Sequence, residues 1–270
     1  MTTTATTPTT LDVSATSRVP FGRLVRLELR KMADTRAGLW LMIVTGLLLV
    51  VAGGLTLLIT LLNDVDLTLG DMVQVMTVPL SLLLPVFAIM TVTSEWSQRT
   101  GLVTFTLEPH RLRMVAAKLV AVVGLAVATI VVAAAFGVAV YAIFAAMTSG
   151  PVSWAISSSV LAWTVIGQLL SFLVAFGFAL AFLNTPAAIS VYYVVVLLLP
   201  IMVYSLIMGA LSWGPDVVPW IDLGTAMAPL QGSGPDVTAT TYAQVAVTSL
   251  EWVVLPFVLG LVRVRRAEIK

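Results

Sequence analysis

Between Lys118 and Asp216 the sequence contains no Asp, Glu, Lys, Arg or His. Wound as helix at about 1.5 Å per residue, that stretch reaches on the order of 145 Å, several times the ~30 Å hydrocarbon core of a bilayer. It must therefore fold back on itself in an apolar medium. Apolar residues make up 59% of the 270 and charged residues only 10%, against roughly a quarter charged in soluble domains. With a mean hydropathy of +1.05, a soluble fold would leave large apolar patches in water. Barrel strands alternate polar and apolar residues in short segments, and this chain does not. The fold class predicted is an all-α integral membrane protein.

Six transmembrane helices are expected, at about 38–62, 72–94, 119–147, 158–183, 187–211 and 243–262, within a membrane domain spanning 37–262. Residues 1–17 are Thr-rich, without the apolar core of a signal peptide, and predict a disordered tail. Over 18–36, Phe21, Val25, Leu29 and Met32 recur at helical spacing, opposite Arg23, Arg26 and Arg30. That pattern predicts an amphipathic helix lying in the membrane interface. Pro79 and Pro85 fall inside the second span, where membrane helices tolerate proline. Thr148-Ser149-Gly150-Pro151 and Asn184-Thr185-Pro186 read as turns, the second with Pro186 opening a helix capped by Asn184 or Thr185. Segment 212–242 has four prolines among Trp213, Trp220, Ile221 and Leu223, and predicts an extracytoplasmic re-entrant hairpin.

Charge placement orients the chain. With six spans, all 14 Lys and Arg residues fall on the side of the N-terminus, segment 95–118 and the basic tail 263–270. The opposite loops hold Asp64, Asp66, Asp71, Asp216, Asp222 and Asp236 and no basic residue. Cytoplasmic loops collect Lys and Arg, so both termini are expected inside.

The 95–118 segment contains Glu95, Arg99, Thr100, Gly101, Leu107, Pro109, Arg111 and Lys118. In order and approximate spacing, these residues resemble the loop between the second and third spans of the ABC-transporter type 2 permease family. The similarity extends along nearly the whole chain from about Pro20. It implies that the 95–118 loop couples to a separate ABC ATPase subunit, which binds the ATP and Mg. It further implies a second permease subunit, identical or not, and an exporter's direction of transport; the Ala-, Val-, Leu- and Thr-rich usage resembles that of a high-GC organism, so a bacterial cytoplasmic membrane is the expected location. The 18–36 helix is similar to that family's interface helix. Val103, Phe105 and Leu107 offer an apolar knob, and Arg99, Arg111 and Arg113 can pair with acidic groups of a partner.

Other chemistries find little footing. A phosphate-binding loop needs a Gly-Lys pair at its end, and none occurs, so no cofactor and no ATPase activity is expected of this chain. There is no cysteine and one histidine, His110, which leaves thiol, Cys-zinc and intramembrane Ser–His sites without their residues. A net charge of +1 gives no reason to expect nucleic acid. Glu251 lies about 16 Å by helical rise from the end of the last span, and an intramembrane carboxylate is a functional candidate. Glu251 and Gln168 are therefore the substrate-path candidates. The alternative function is an ion-coupled secondary transporter using Glu251.

Overall fold

The structure is a computed structural model, and it describes residues 19–63, 65–97 and 111–266. The Thr-rich tail and most of the 95–118 loop lie outside the described residues. Among those described, regular structure is helical except for one parallel bridge between Thr68 and Ser153. A short helix, α1 (Phe21–Asp34), precedes six helices long and apolar enough to cross a membrane. These are α2 (Arg36–Asn63), α3 (Leu69–Ser97), α4 (Arg111–Met147), α5 (Ser158–Phe182), α6 (Thr185–Ala210) and α9 (Ala239–Arg266). The chain is thus a multi-pass membrane protein. Between α6 and α9 lie two short helices, α7 (Gly214–Val217) and α8 (Leu223–Met227), each followed by a 3-10 turn.

The bundle is built around α3 and α5. About half of their apolar windows is buried inside the protein, 56% and 50%, against 6% for α6. α3 packs on α2, α4, α5 and α6, while α5 also holds α9. The shared core includes Met72, Met76, Leu80, Leu84, Tyr141, Phe172, Phe176 and Tyr192. Small residues permit the closest approach. A side chain at Gly177 would stand 3.2 Å from the Pro256 Cβ, and one at Gly260 would run into Leu180, so α5 and α9 meet nearly backbone to backbone. Membrane helices gain most from such close packing, since lipid competes for apolar side chains.

Contacts at the helix ends define two poles. At one, Thr93 and Thr185 share a hydroxyl hydrogen bond of 2.7 Å, and the Arg263 guanidinium donates to the Ala181 carbonyl at 2.7 Å. This gathers the C-terminal ends of α3, α5 and α9 with the N-terminal end of α6. At the other pole, Leu69 N–H donates to the Ser153 carbonyl at 3.2 Å, and the Gln74 amide donates to the Gln231 carbonyl at 2.8 Å.

Prolines shape the helices without ending them. α3 runs unbroken through Pro79 and Pro85, and the Tyr193 hydroxyl donates to the Leu82 carbonyl in the turn before Pro85. In α6 the register widens to a π-helix over Val194–Tyr204, with Pro200 inside it. In α9 it widens over Leu250–Val254, just before Pro256. A proline lacks the N–H for an α-helical bond and crowds the carbonyl four residues back, and the wider turn relieves both. α6 itself starts at Thr185 with Pro186 second, one residue earlier than the sequence pattern indicates. The Asn184 side chain accepts from Ala187 N–H at 3.0 Å as its cap.

Candidate functional site

Of the apolar residues Phe21, Val25, Leu29 and Met32 in the α1 sequence pattern, the protein covers Met32 and half-buries Val25. Leu24, Glu28 and Met32 are buried, whereas Phe21 and Leu29 are each 39% exposed. Leu24 packs with Met114 and Ala117 at the start of α4. The Arg113 guanidinium donates to the Val19 carbonyl just ahead of α1. Arg23, Arg26 and Arg30 point outward. The helix ends at Asp34, and Thr35 is extended, its hydroxyl accepting Gly38 N–H at 3.1 Å at the start of α2. The buried stripe thus carries a carboxylate into the protein.

Around Glu28 lies a closed ring of four alternating charges. The Lys31 ammonium donates to Glu28 Oε1 at 2.7 Å and to Glu95 Oε1 at 3.0 Å. The Lys118 ammonium donates to Glu28 Oε2 at 2.9 Å and lies 3.1 Å from Glu95 Oε1. Its third bond is to the Thr91 carbonyl at 3.0 Å. Glu28, Glu95 and Lys118 are all but inaccessible, at 2%, 6% and 5% exposure, while Lys31 covers the outer edge with half its side chain exposed. Burial alone would lower the Lys31 ammonium, but Glu28 and Glu95 together hold it above the ordinary lysine range. Its contribution is therefore complete at neutral pH and is lost only as pH rises beyond that range.

The ring joins three elements where they frame residues 98–110. Glu28 and Lys31 come from α1, Glu95 from the last turn of α3 and Lys118 from the second turn of α4. Lone buried ions are very costly, and a ring with two carboxylates and two ammoniums meets that cost by mutual pairing and hydrogen bonding. The arrangement also ties α1 to the end of α3 and the start of α4. It holds no nucleophile or acid–base pair open to a substrate, and no metal-sized group of three His or carboxylate side chains occurs among the described residues.

Of the candidate coupling residues, Glu95 and Lys118 come together in the ring, and Arg111 is the first residue of α4. Arg99, Thr100, Gly101, Leu107 and Pro109 lie outside the described residues. The substrate-path candidates separate. Gln168 is buried in α5, its amide donating to the Thr77 carbonyl of α3 at 3.3 Å. Glu251 sits in the π turn of α9 and is exposed on the outside of the bundle, with no hydrogen bond or ion pair among the described residues.

Glu28 and Lys31 are the site residues that the sequence pattern did not single out. Glu28 stands one turn from both Leu24 and Met32, a carboxylate in the middle of an apolar stripe, and that misplacement is the readable signal. No protein-family model matches this sequence, and no curated protein matches it at a significant level.

Proposed function

We propose that the chain is the transmembrane permease subunit of an ATP-driven transporter of the ABC type 2 kind. A separate ATPase subunit drives it, and a second permease subunit completes the pore. It resides with both termini inside in a bacterial cytoplasmic membrane, α1 lies at the inner interface, and the cargo is a hydrophobic or amphipathic compound moved outward. The observation carrying this reading is the charge ring that locks α1, α3 and α4 together on both sides of residues 98–110. A partner bearing on that loop would displace three helix ends at once, and through Thr35 and Gly38 the start of α2.

The motif residues that resemble the family's coupling loop support the same reading, because Glu95 and Lys118 are the ring members that flank the loop. An ion-coupled transporter built on Glu251 has less support, since that carboxylate is exposed and is not among the residues lining the 270 Å³ cavity between α3, α5, α6, α8 and α9.

The test is copurification with candidate ATPases, followed by ATP-dependent transport in proteoliposomes. Arg99→Ala lies in the loop itself and alters none of the four ring residues. It is expected to lower ATP-driven transport at least tenfold while the chain remains folded. Undiminished transport by a preparation with no ATPase bound would sink the proposal.

A further inference from the structure

Between α3, α5, α6, α8 and α9 lies a cavity of about 270 Å³. It sits at the pole away from the charge ring, and it is polar where its surroundings are not. Thr77, Ser81, Gln168 and Ser171 face it from α3 and α5, Asp222 from the start of α8, and Trp252 from α9.

Three of the wall's donors are spent on main-chain carbonyls, and the Gln231 amide donates to the Trp163 carbonyl at 3.5 Å. The Thr77 hydroxyl donates to the Gln74 carbonyl at 2.7 Å and the Ser81 hydroxyl to the Val78 carbonyl at 2.8 Å. The Trp252 indole N–H is committed to the Ile221 carbonyl at 2.8 Å. The acceptors remain open. Gln168 is 9% exposed and its Oε1 has no partner, an omission that low-dielectric surroundings make costly. Asp222 is 7% exposed, and both its bonds, from the Thr225 N–H at 2.7 Å and hydroxyl at 2.6 Å, fall on Oδ2. No Lys or Arg among the described residues pairs with it. Oδ1 is left without a protein donor among those residues.

We infer that this cavity is a binding site for a small organic ammonium ion. The ammonium supplies the donors and the positive charge that Asp222 and Gln168 Oε1 lack. Its hydrocarbon part packs against Val174, Val195 and Met227, with the Trp252 indole available for a cation–π contact. The volume suits a compact ligand of one ring rather than a drug-sized one. The inference goes beyond the permease reading, because binding here needs neither nucleotide nor an ATPase.

The probes are benzylamine, protonated at neutral pH, and its neutral isostere benzyl alcohol. Each is titrated calorimetrically into the full-length chain in detergent, with empty micelles as the blank. Benzylammonium is expected to bind one to one and at least tenfold more tightly than the alcohol. Asp222→Asn retains an oxygen to accept the Thr225 N–H and is expected to weaken the amine at least tenfold while leaving the alcohol unchanged. Gly167→Ala sets a methyl group against the Gln231 amide beside the cavity and is expected to weaken both ligands. Glu251→Gln, outside the cavity, is expected to change neither. Equal affinity for the two probes, unaltered amine binding by a folded Asp222→Asn chain, loss of binding on Glu251→Gln, or no binding to the folded wild-type chain would each overturn the assignment, the last leaving water as the only occupant.

Discussion

Glu28 shows how much a single residue can fix in a chain this poor in charge. Its carboxylate bonds to Lys31 one turn along and to Lys118 ninety positions away, so removing it strips a buried ammonium of a partner. Breaking a buried pair from one side commonly costs about 3–5 kcal/mol. Glu28→Gln and Lys118→Met are each expected to destabilise by roughly that amount in detergent unfolding, and the double variant by clearly less than the sum. Additive losses would mean that the two residues act separately. Lys31, half in solvent, is expected to contribute on the order of 1 kcal/mol or less. Helical spacing on α1 alone makes a misplaced carboxylate visible in the sequence. Lys31 lies within the same helical spacing, but Lys118 and the Lys31–Glu95 bond are not visible, because pairing across 90 and 64 positions depends on how α3 and α4 are brought to α1.

At the scale of elements, apolar runs and turn residues mark all six long helices, because length and hydropathy are local properties. The face each helix presents is not local. On α1 the apolar residues span a wide arc; Met114 and Ala117 cover Leu24 and the main core of the bundle covers Met32, while Phe21 and Leu29 stay exposed. Pro200 and Pro256 are plain in the sequence, but the stretch of π-helix associated with each is a response to geometry. Glycines behave similarly, with Gly177 and Gly260 distinguished from the exposed Gly46 or Gly54 only by what lies opposite. Gly260→Val is expected to force α5 and α9 apart and cost about 1–3 kcal/mol, the usual penalty of overpacking. A thermal midpoint unchanged from wild type would show that these backbones do not need their close approach.

At the scale of the whole molecule, helix ends alternate between two poles, with the charge ring at one and the polar cavity at the other. The orientation proposed puts the ring inside and the cavity toward the exterior. Because the chain has no cysteine, single cysteines can report this without background. A membrane-impermeant maleimide is expected to label Asp66→Cys and Ser149→Cys on intact cells. Asp34→Cys and Arg266→Cys are expected to react only after permeabilisation, and the reverse pattern would invert the orientation.

The ring also imposes an order on biogenesis. Glu28 and Glu95 emerge from the ribosome before Lys118, so while α3 is being inserted the two carboxylates share one lysine. A chain interrupted before α4 leaves Glu28 and Glu95 with the Lys31 ammonium alone between them. In chain order the pole's contacts then complete: α4 delivers the second ammonium, Thr185 at the start of α6 bonds Thr93, and Arg263, at the end of the last helix, fastens α9 to the Ala181 carbonyl of α5.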